Sequence, residues 1–230
     1  MSLHEARLSK IIKIAYADAK LSRKEIFNDV SACIRKEQNP ESGSGGGGDF
    51  HGVLWAAFKE CIFEQDVEGF DQMVAALISG NSRRKRLFPQ LADGLKSWGL
   101  LKRRWMNEEI KRIKNPVGTV ILEGQDIAFK VNNVLALEIV GKGNRYIYPY
   151  FSEKPALNDE AARVALWQLH CALPHVHLDE IRILDVMRGK SYSTVEVPLV
   201  GDEHDIFAHQ VAEIFQLWDK RYQDRKNGTA

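Results

Sequence analysis

The sequence predicts an α+β fold (an α/β layer): a helical N-terminal region over residues 1–115, then a mixed β-sheet flanked by helices over 116–230. Three observations carry this. Apolar residues recur at helical steps through the first half, beginning with Leu8, Ile11, Ile12 and Ala15. From Val117 onward the pattern changes to the alternation of strands. Between them, residues 41–49 are dominated by glycine, whose backbone loses the most entropy on ordering, so the stretch reads as a flexible linker inside the helical region.

The elements follow in order. Residues 3–38 read as two helices. Ser22 followed by Glu25 forms a capping box that starts the second, and Asn39-Pro40 stops it. Asp49 caps a helix over 50–64, and a further helix over 67–79 ends at Gly80. Pro89 and Gly94 break the next stretch into two or three helical pieces reaching Asn115. Residues 118–124 and 126–131 alternate as strands. Residues 134–151 read as two strands joined by Gly141-Lys142-Gly143-Asn144, a hairpin signal. An amphipathic helix follows, with Asn158 as its cap and Pro174 beyond its end. Two strands flank Arg188-Gly189-Lys190, and residues 202–222 form a closing helix.

Composition narrows the class. With 44% hydrophobic and 27% charged residues in 230, the chain reads as a globular protein large enough to bury its own core. Three cysteines, odd in number and far apart, point to a reduced, cytoplasmic setting. The start, MSLHEARLSK, reads as no signal peptide, and no apolar run reaches the ~18 residues of a membrane span. The net charge of +1 conceals an asymmetry: residues 41–81 hold one basic and seven acidic residues, whereas residues 82–115 hold eleven basic and three acidic.

The run of strands, helix, strand pair and closing helix over roughly 117–220 resembles the PD-(D/E)XK nuclease superfamily, especially its RecB-type branch, and so a restriction-endonuclease-like domain. In that branch the third strand carries a metal-binding acid and, two residues on, a lysine; an earlier acid stands on the second strand. The resemblance places Pro149 where that third-strand acid belongs, Phe151 where the lysine belongs, and Leu135, fourteen residues before Pro149, at the first acid. Arg163 and Trp167 take the places of a glutamine and a tyrosine on the following helix. Such nucleases hold Mg²⁺ through carboxylates because the ion demands hard oxygen ligands. Proline and leucine offer no side-chain oxygen, and phenylalanine cannot supply a lysine's charge. The resemblance therefore implies a degenerate scaffold with no metal, no cofactor and no catalysis by that route.

The alternative reading is a metal-dependent nuclease, Mg²⁺ included, with displaced acids: Asp126, Glu138 and Glu153, with Lys154 or Lys142 as base. Glu138 falls on the strand face opposite Leu135. Acid-x-Lys matches at Asp18-Ala19-Lys20, Glu109-Ile110-Lys111 and Asp224-Arg225-Lys226 fall on expected helices and read as solvated charges. His170, Cys171, His175 and His177 have zinc-ligand chemistry without a complete ligand spacing, so a structural role is the plainer reading.

The basic run is the candidate binding element. Arg83, Arg84, Lys85 and Arg86 form one cluster, Lys102, Arg103 and Arg104 a second, and Lys111, Arg112 and Lys114 a third, with Phe88, Trp98 and Trp105 interleaved. Phosphate backbones attract such clusters, and aromatics stack on unpaired bases. The competing readings are that the aromatics are core and the cations a solvated face, or that this segment pairs with the acidic one before it. The leading expectation is a non-catalytic protein that binds nucleic acid through the 83–114 segment, or a partner protein. A third is an interaction module or small-molecule binder with no nucleic-acid role.

Overall fold

The computed structural model describes residues 3, 6–39, 50–101, 108–122 and 127–228. The fold is mixed α and β. Helices α1 (Leu8–Ala15), α2 (Ala19–Gln38), α3 (Gly52–Glu64), α4 (Val67–Ser79) and α5 (Phe88–Leu95) come first, and α5 runs on into a π-helical turn, Lys96–Leu100. Strands β1 (Ile110–Arg112), β2 (Gly118–Leu122), β3 (Ile127–Val131), β4 (Leu135–Ile139) and β5 (Gly143–Tyr150) follow. Then come α6 (Asp159–Ala172), β6 (Ile181–Asp185), β7 (Lys190–Tyr192) and α7 (Glu203–Lys226).

Five strands form one sheet in the order β1-β4-β5-β6-β7, and β2-β3 form a separate antiparallel hairpin. Within the sheet only β5 and β6 are parallel, joined through α6. A parallel pair needs such a crossover, whereas β4 and β5 meet through a tight turn in which Gly141 (φ +78°) and Gly143 (φ +86°) take the left-handed backbone that side chains resist.

The sheet is covered on both faces, and strand alternation decides which side chain goes where. Tyr148 and Tyr150 of β5 and Ile181 and Ile183 of β6 enter a core with α1, α2, α6, α7 and the β2-β3 hairpin. Ile147 and Leu184, with Leu135, Leu137 and Ile139 of β4, enter a second core built by α3, α4 and α5. The helical first half thus shares its core with the sheet.

Local chemistry accounts for most boundaries. Asn158 caps α6 as expected, its Oδ1 accepting from the Ala161 N–H at 2.7 Å, and Gly80 closes α4. Two readings need correction. The second helix begins at Ala19, not near Ser22, because Asp18 is the cap and accepts from the Leu21 N–H at 2.8 Å. Residues 110–112 are not helical but an edge strand, paired with β4 from Ile110↔Ile139 to Arg112↔Leu137. The expected cap Asp49 and the 41–49 linker lie outside the described residues.

Candidate functional site

Leu135, Pro149 and Phe151 come together on one face of the sheet. Leu135 opens β4 opposite Ile147, two residues before Pro149, and Pro149 lies opposite Leu184 of β6. Because β4 pairs no further than Ile147, β5 has a single neighbour at Pro149, so the missing proline N–H fits a locally edge-like position. Leu135 is 1% exposed. Phe151 lies flat on the His51 ring, with centroids 4.9 Å apart, and edge-on to Trp55 at 6.0 Å. Trp55 is locked in turn, its Nε1–H donating to the Asn133 carbonyl at 2.6 Å. The start of α3 therefore covers Phe151 through His51 and Trp55, and Trp55 shares its core with Leu135.

Of the displaced acids, the two within the described residues, Glu138 and Glu153, do not come together. Glu138 stands opposite Asn144 on β5 and Lys111 on β1. Strand β5 continues six residues from Asn144 to Tyr150 before the turn that carries Glu153. At ~3.3 Å per residue, roughly 20 Å separates the two acids. Glu153 is instead bound to Arg86 in a two-pronged pair, Nη1 to Oε1 and Nη2 to Oε2, both 2.8 Å. That guanidinium holds the Glu153 carboxyl below the usual range. Lys154 is exposed in the same turn, and Lys142 is paired with Glu108. Asp126 lies outside the described residues. Of the acid-x-Lys matches, Glu109-Ile110-Lys111 falls on and just before strand β1 rather than a helix, where Lys111 pairs with Glu109 at 3.2 Å on the exposed surface. Among the described residues no group of three or more His, Cys, Asp or Glu side chains is placed to hold a metal ion. His170 and Cys171 lie on the last turn of α6, and His175 and His177 are exposed beyond it. Arg163 is occupied by Asp202 (2.9 Å) and Glu203 (3.0 Å) at the start of α7.

The turn after β5 is fixed by groups that sequence reasoning did not single out. Arg188 donates to the Ser152 carbonyl (2.8 Å) and the Glu153 carbonyl (2.6 Å). Asp185, 1% exposed, accepts from the Leu157 N–H at 3.1 Å and faces Arg188 at 3.3 Å. Burial raises the Asp185 carboxyl above its ordinary value, the Leu157 N–H and Arg188 offsetting part of the effect. The Tyr150 hydroxyl donates to the Pro155 carbonyl at 3.0 Å, and burial pushes that phenol up to about 12. These are framework contacts. They hold the turn against the end of β6.

The basic run is only partly available. Arg86 is taken by Glu153. Arg84 donates to the Leu77 carbonyl at 3.1 Å and lies over the Phe88 ring. Lys96 pairs with Asp71 (2.8 Å), and Arg112 pairs with Glu60 (3.4 Å) while covering Phe63, so part of the charge is met by the acidic segment that precedes it. Phe88 and Trp98 are core residues, 0% and 4% exposed, and cannot stack on bases. Arg83 and Lys85 project into solvent. Lys102, Arg103, Arg104 and Trp105 lie outside the described residues. No helix among the described residues is long and apolar enough to cross a membrane.

Comparison of the chain with protein-family models, with curated proteins and with solved structures finds no match.

Proposed function

We propose that this chain is a non-catalytic nucleic-acid-binding protein built on a degenerate nuclease-like scaffold. The observation that carries the reading is that Leu135 is buried in a core it shares with Trp55, Phe151 is stacked on His51, and a proline stands at 149. A divalent ion needs oxygen ligands, and installing it here would mean displacing part of a core. The β4-β5 hairpin, crossover α6, the β6-β7 pair and α7 follow the element order that the resemblance implies, which supports the scaffold part of the reading. Phosphate contact is assigned to Arg83 and Lys85, whose charges face solvent.

The test has two arms. Incubation with duplex DNA, single-stranded DNA and RNA in Mg²⁺ or Mn²⁺ should leave every substrate intact. Cleavage that disappears in E138A or E153A would overturn the non-catalytic reading. In the binding arm, replacing Arg83 and Lys85 together should weaken affinity about equally across sequences. It should also flatten the log-log salt slope by about 2, near 0.9 per lost phosphate contact. Affinity unchanged by both substitutions would count decisively against nucleic acid, and salt-insensitive capture of a protein in its place would identify the chain as a protein-interaction module.

A further inference from the structure

A second feature lies on the same sheet face, toward the opposite end of β5. Arg145 sits near the start of β5 and Arg182 near the start of β6, where Arg182 is the partner of Ile147. Residues 145 and 147 share a strand face, so both guanidiniums emerge on the side that carries α3–α5. They open into a cavity of about 480 Å³ whose walls include Trp98, Ile139, Lys142 and Lys190.

The charge in this cavity is not balanced by its own walls. Four cations, Lys142, Arg145, Arg182 and Lys190, line it against two carboxylates, Glu108 and Glu196. Both carboxylates are already engaged. Glu108 holds Lys142, and Glu196 accepts from the Ser193 N–H at 2.9 Å and from the Ser193 hydroxyl. The arginines bond only to main-chain carbonyls: Arg145 Nη1 to Asn144 at 2.6 Å, and Arg182 Nη1 to Asp179 at 2.6 Å and Ile181 at 2.7 Å. Each bond uses one terminal nitrogen and leaves the rest of the fork for another acceptor. Among the described residues neither arginine closes an ion pair with a carboxylate, although Glu196 and Asp179 lie near enough to Arg182 to act on its charge. Two neighbouring guanidiniums are an unfavourable arrangement, and Arg182 shows it: burial, then repulsion from Arg145, lowers its proton affinity, and the nearby Glu196 and Asp179 carboxylates offset only part of the loss. An anion between them relieves both effects.

We infer that Arg145 and Arg182 clamp the phosphate group of a nucleotide-sized phosphate monoester in this cavity. The guanidinium fork matches phosphate oxygens in pairs, where an ammonium offers only a point charge. The volume falls within the roughly 300–1,000 Å³ of small-molecule sites, and Trp98 and Ile139 supply apolar wall for the remainder of the ligand. The same chemistry is presented by a free mononucleotide and by the phosphorylated end of a nucleic-acid strand. The inference does not depend on Arg83 and Lys85, so either can fail alone.

Calorimetric titration of the full chain with inorganic phosphate, adenosine 5′-monophosphate and adenosine tests it. The monophosphate should bind and raise the melting temperature, phosphate should bind more weakly, and adenosine should not bind. R145Q and R182Q should each weaken the monophosphate about tenfold or more, the loss expected for a charge-assisted pair. K20Q, on the exposed start of α2, should leave it unchanged. R145K and R182K keep the charge but lose the fork; they should recover less than half of the lost binding free energy and serve as well if the glutamine variants fold poorly. Oligonucleotides with and without a 5′-phosphate separate the sources: tighter binding of the phosphorylated form identifies a strand end, equal binding a free nucleotide. Absence of monophosphate binding to the unaltered chain, or equal binding by R145Q and R182Q, overturns the site.

Discussion

Arg86 and Glu153 close on each other through two parallel hydrogen bonds of 2.8 Å, joining the segment before α5 to the turn after β5 across 67 positions of chain. The sequence offers one as a phosphate contact and the other as a displaced catalytic acid. In the fold each occupies the other. Neutralising the acid should therefore release the cation. Under the nucleic-acid reading, E153Q should raise affinity for single-stranded DNA and steepen the salt slope by about 0.7, the equivalent of one more phosphate contact on a single strand. Gel shifts at three salt concentrations measure this, and an unchanged slope would show that Arg86 takes no part.

The same pair has a signature in pH. The Arg86 fork holds the Glu153 carboxyl below its ordinary range, so its folded value lies below an unfolded value of about 4.3. A depressed carboxylate contributes stability that is present above the unfolded value and lost as pH falls through the folded one. The difference in melting temperature between the unaltered chain and E153Q should be small at neutral pH, because both groups are solvent-exposed, should begin to shrink near the unfolded value of about 4.3, and should vanish only once pH has fallen below the lower folded value. A difference that grows on acidification would contradict the assignment.

Gly94 and the turn after β6 show what close backbone approach requires. A Cβ built on Gly94 would lie 1.8 Å from the Val186 carbonyl oxygen, which is main chain and cannot swing aside. Gly189, at φ +56°, faces Gly94 from the other side, its own Cβ position 2.8 Å from the Gly94 oxygen. G94A should force α5 off the sheet and cost about 1–3 kcal/mol or more, as overpacking does. Gly141 is the control: its φ is +78° but nothing lies within 4 Å of its Cβ position, so G141A should cost only about 1 kcal/mol of backbone strain. Urea denaturation midpoints separate the two. Equal losses would mean that the turn at Val186 gives way and that the close approach does not by itself require glycine at 94.

How far the sequence could be read follows from the length of each signal. The helices α2, α3, α4, α6 and α7 run for 13 residues or more, long enough for period and caps to show. Strand β1 is three residues, Ile-Lys-Arg, with no alternation to detect, and it takes its conformation from β4. That β2-β3 stands apart from the main sheet is a matter of tertiary pairing that neither strand encodes alone. The apolar character of the place formed by positions 135, 149 and 151 was legible, because residue type suffices for it. Its roof of His51 and Trp55 was not, nor was the Arg145–Arg182 cavity, because both arise from residues far apart in chain that only the folded sheet brings together.

Asp29 ties the N-terminal helices to the last one. It is 4% exposed; its Oδ1 accepts from the Leu3 N–H at 3.0 Å and the Trp218 indole N–H at 2.9 Å, and Lys10 pairs with its other oxygen. D29A leaves two buried donors and a cation unmatched and should cost about 3–5 kcal/mol, the range for breaking a buried pair. D29N keeps an acceptor for the two N–H groups and should recover part of that. Chemical denaturation followed by tryptophan fluorescence measures both. A loss below about 1 kcal/mol in D29A would show that water replaces the carboxylate.

The packing of Leu135 sets the last expectation. Because Leu135 is core, trimming it should act as a core deletion: L135A should cost about 2–5 kcal/mol, with no effect that depends on divalent ions. Installing charged residues should be worse. In the triple variant L135D, P149D and F151K, two carboxylates and an ammonium would enter a region where Leu135 is 1% exposed and Phe151 is stacked on His51. Burying those charges costs far more than the lost apolar contacts, and the roof over them leaves little room for the water a hydrated Mg²⁺ keeps. The variant should lose cooperative unfolding, and millimolar Mg²⁺ should not restore it. A folded triple variant whose stability rises with Mg²⁺ would mean that the α3 roof yields readily, and the apolar filling would then no longer argue against a metal-dependent ancestry or activity at this place.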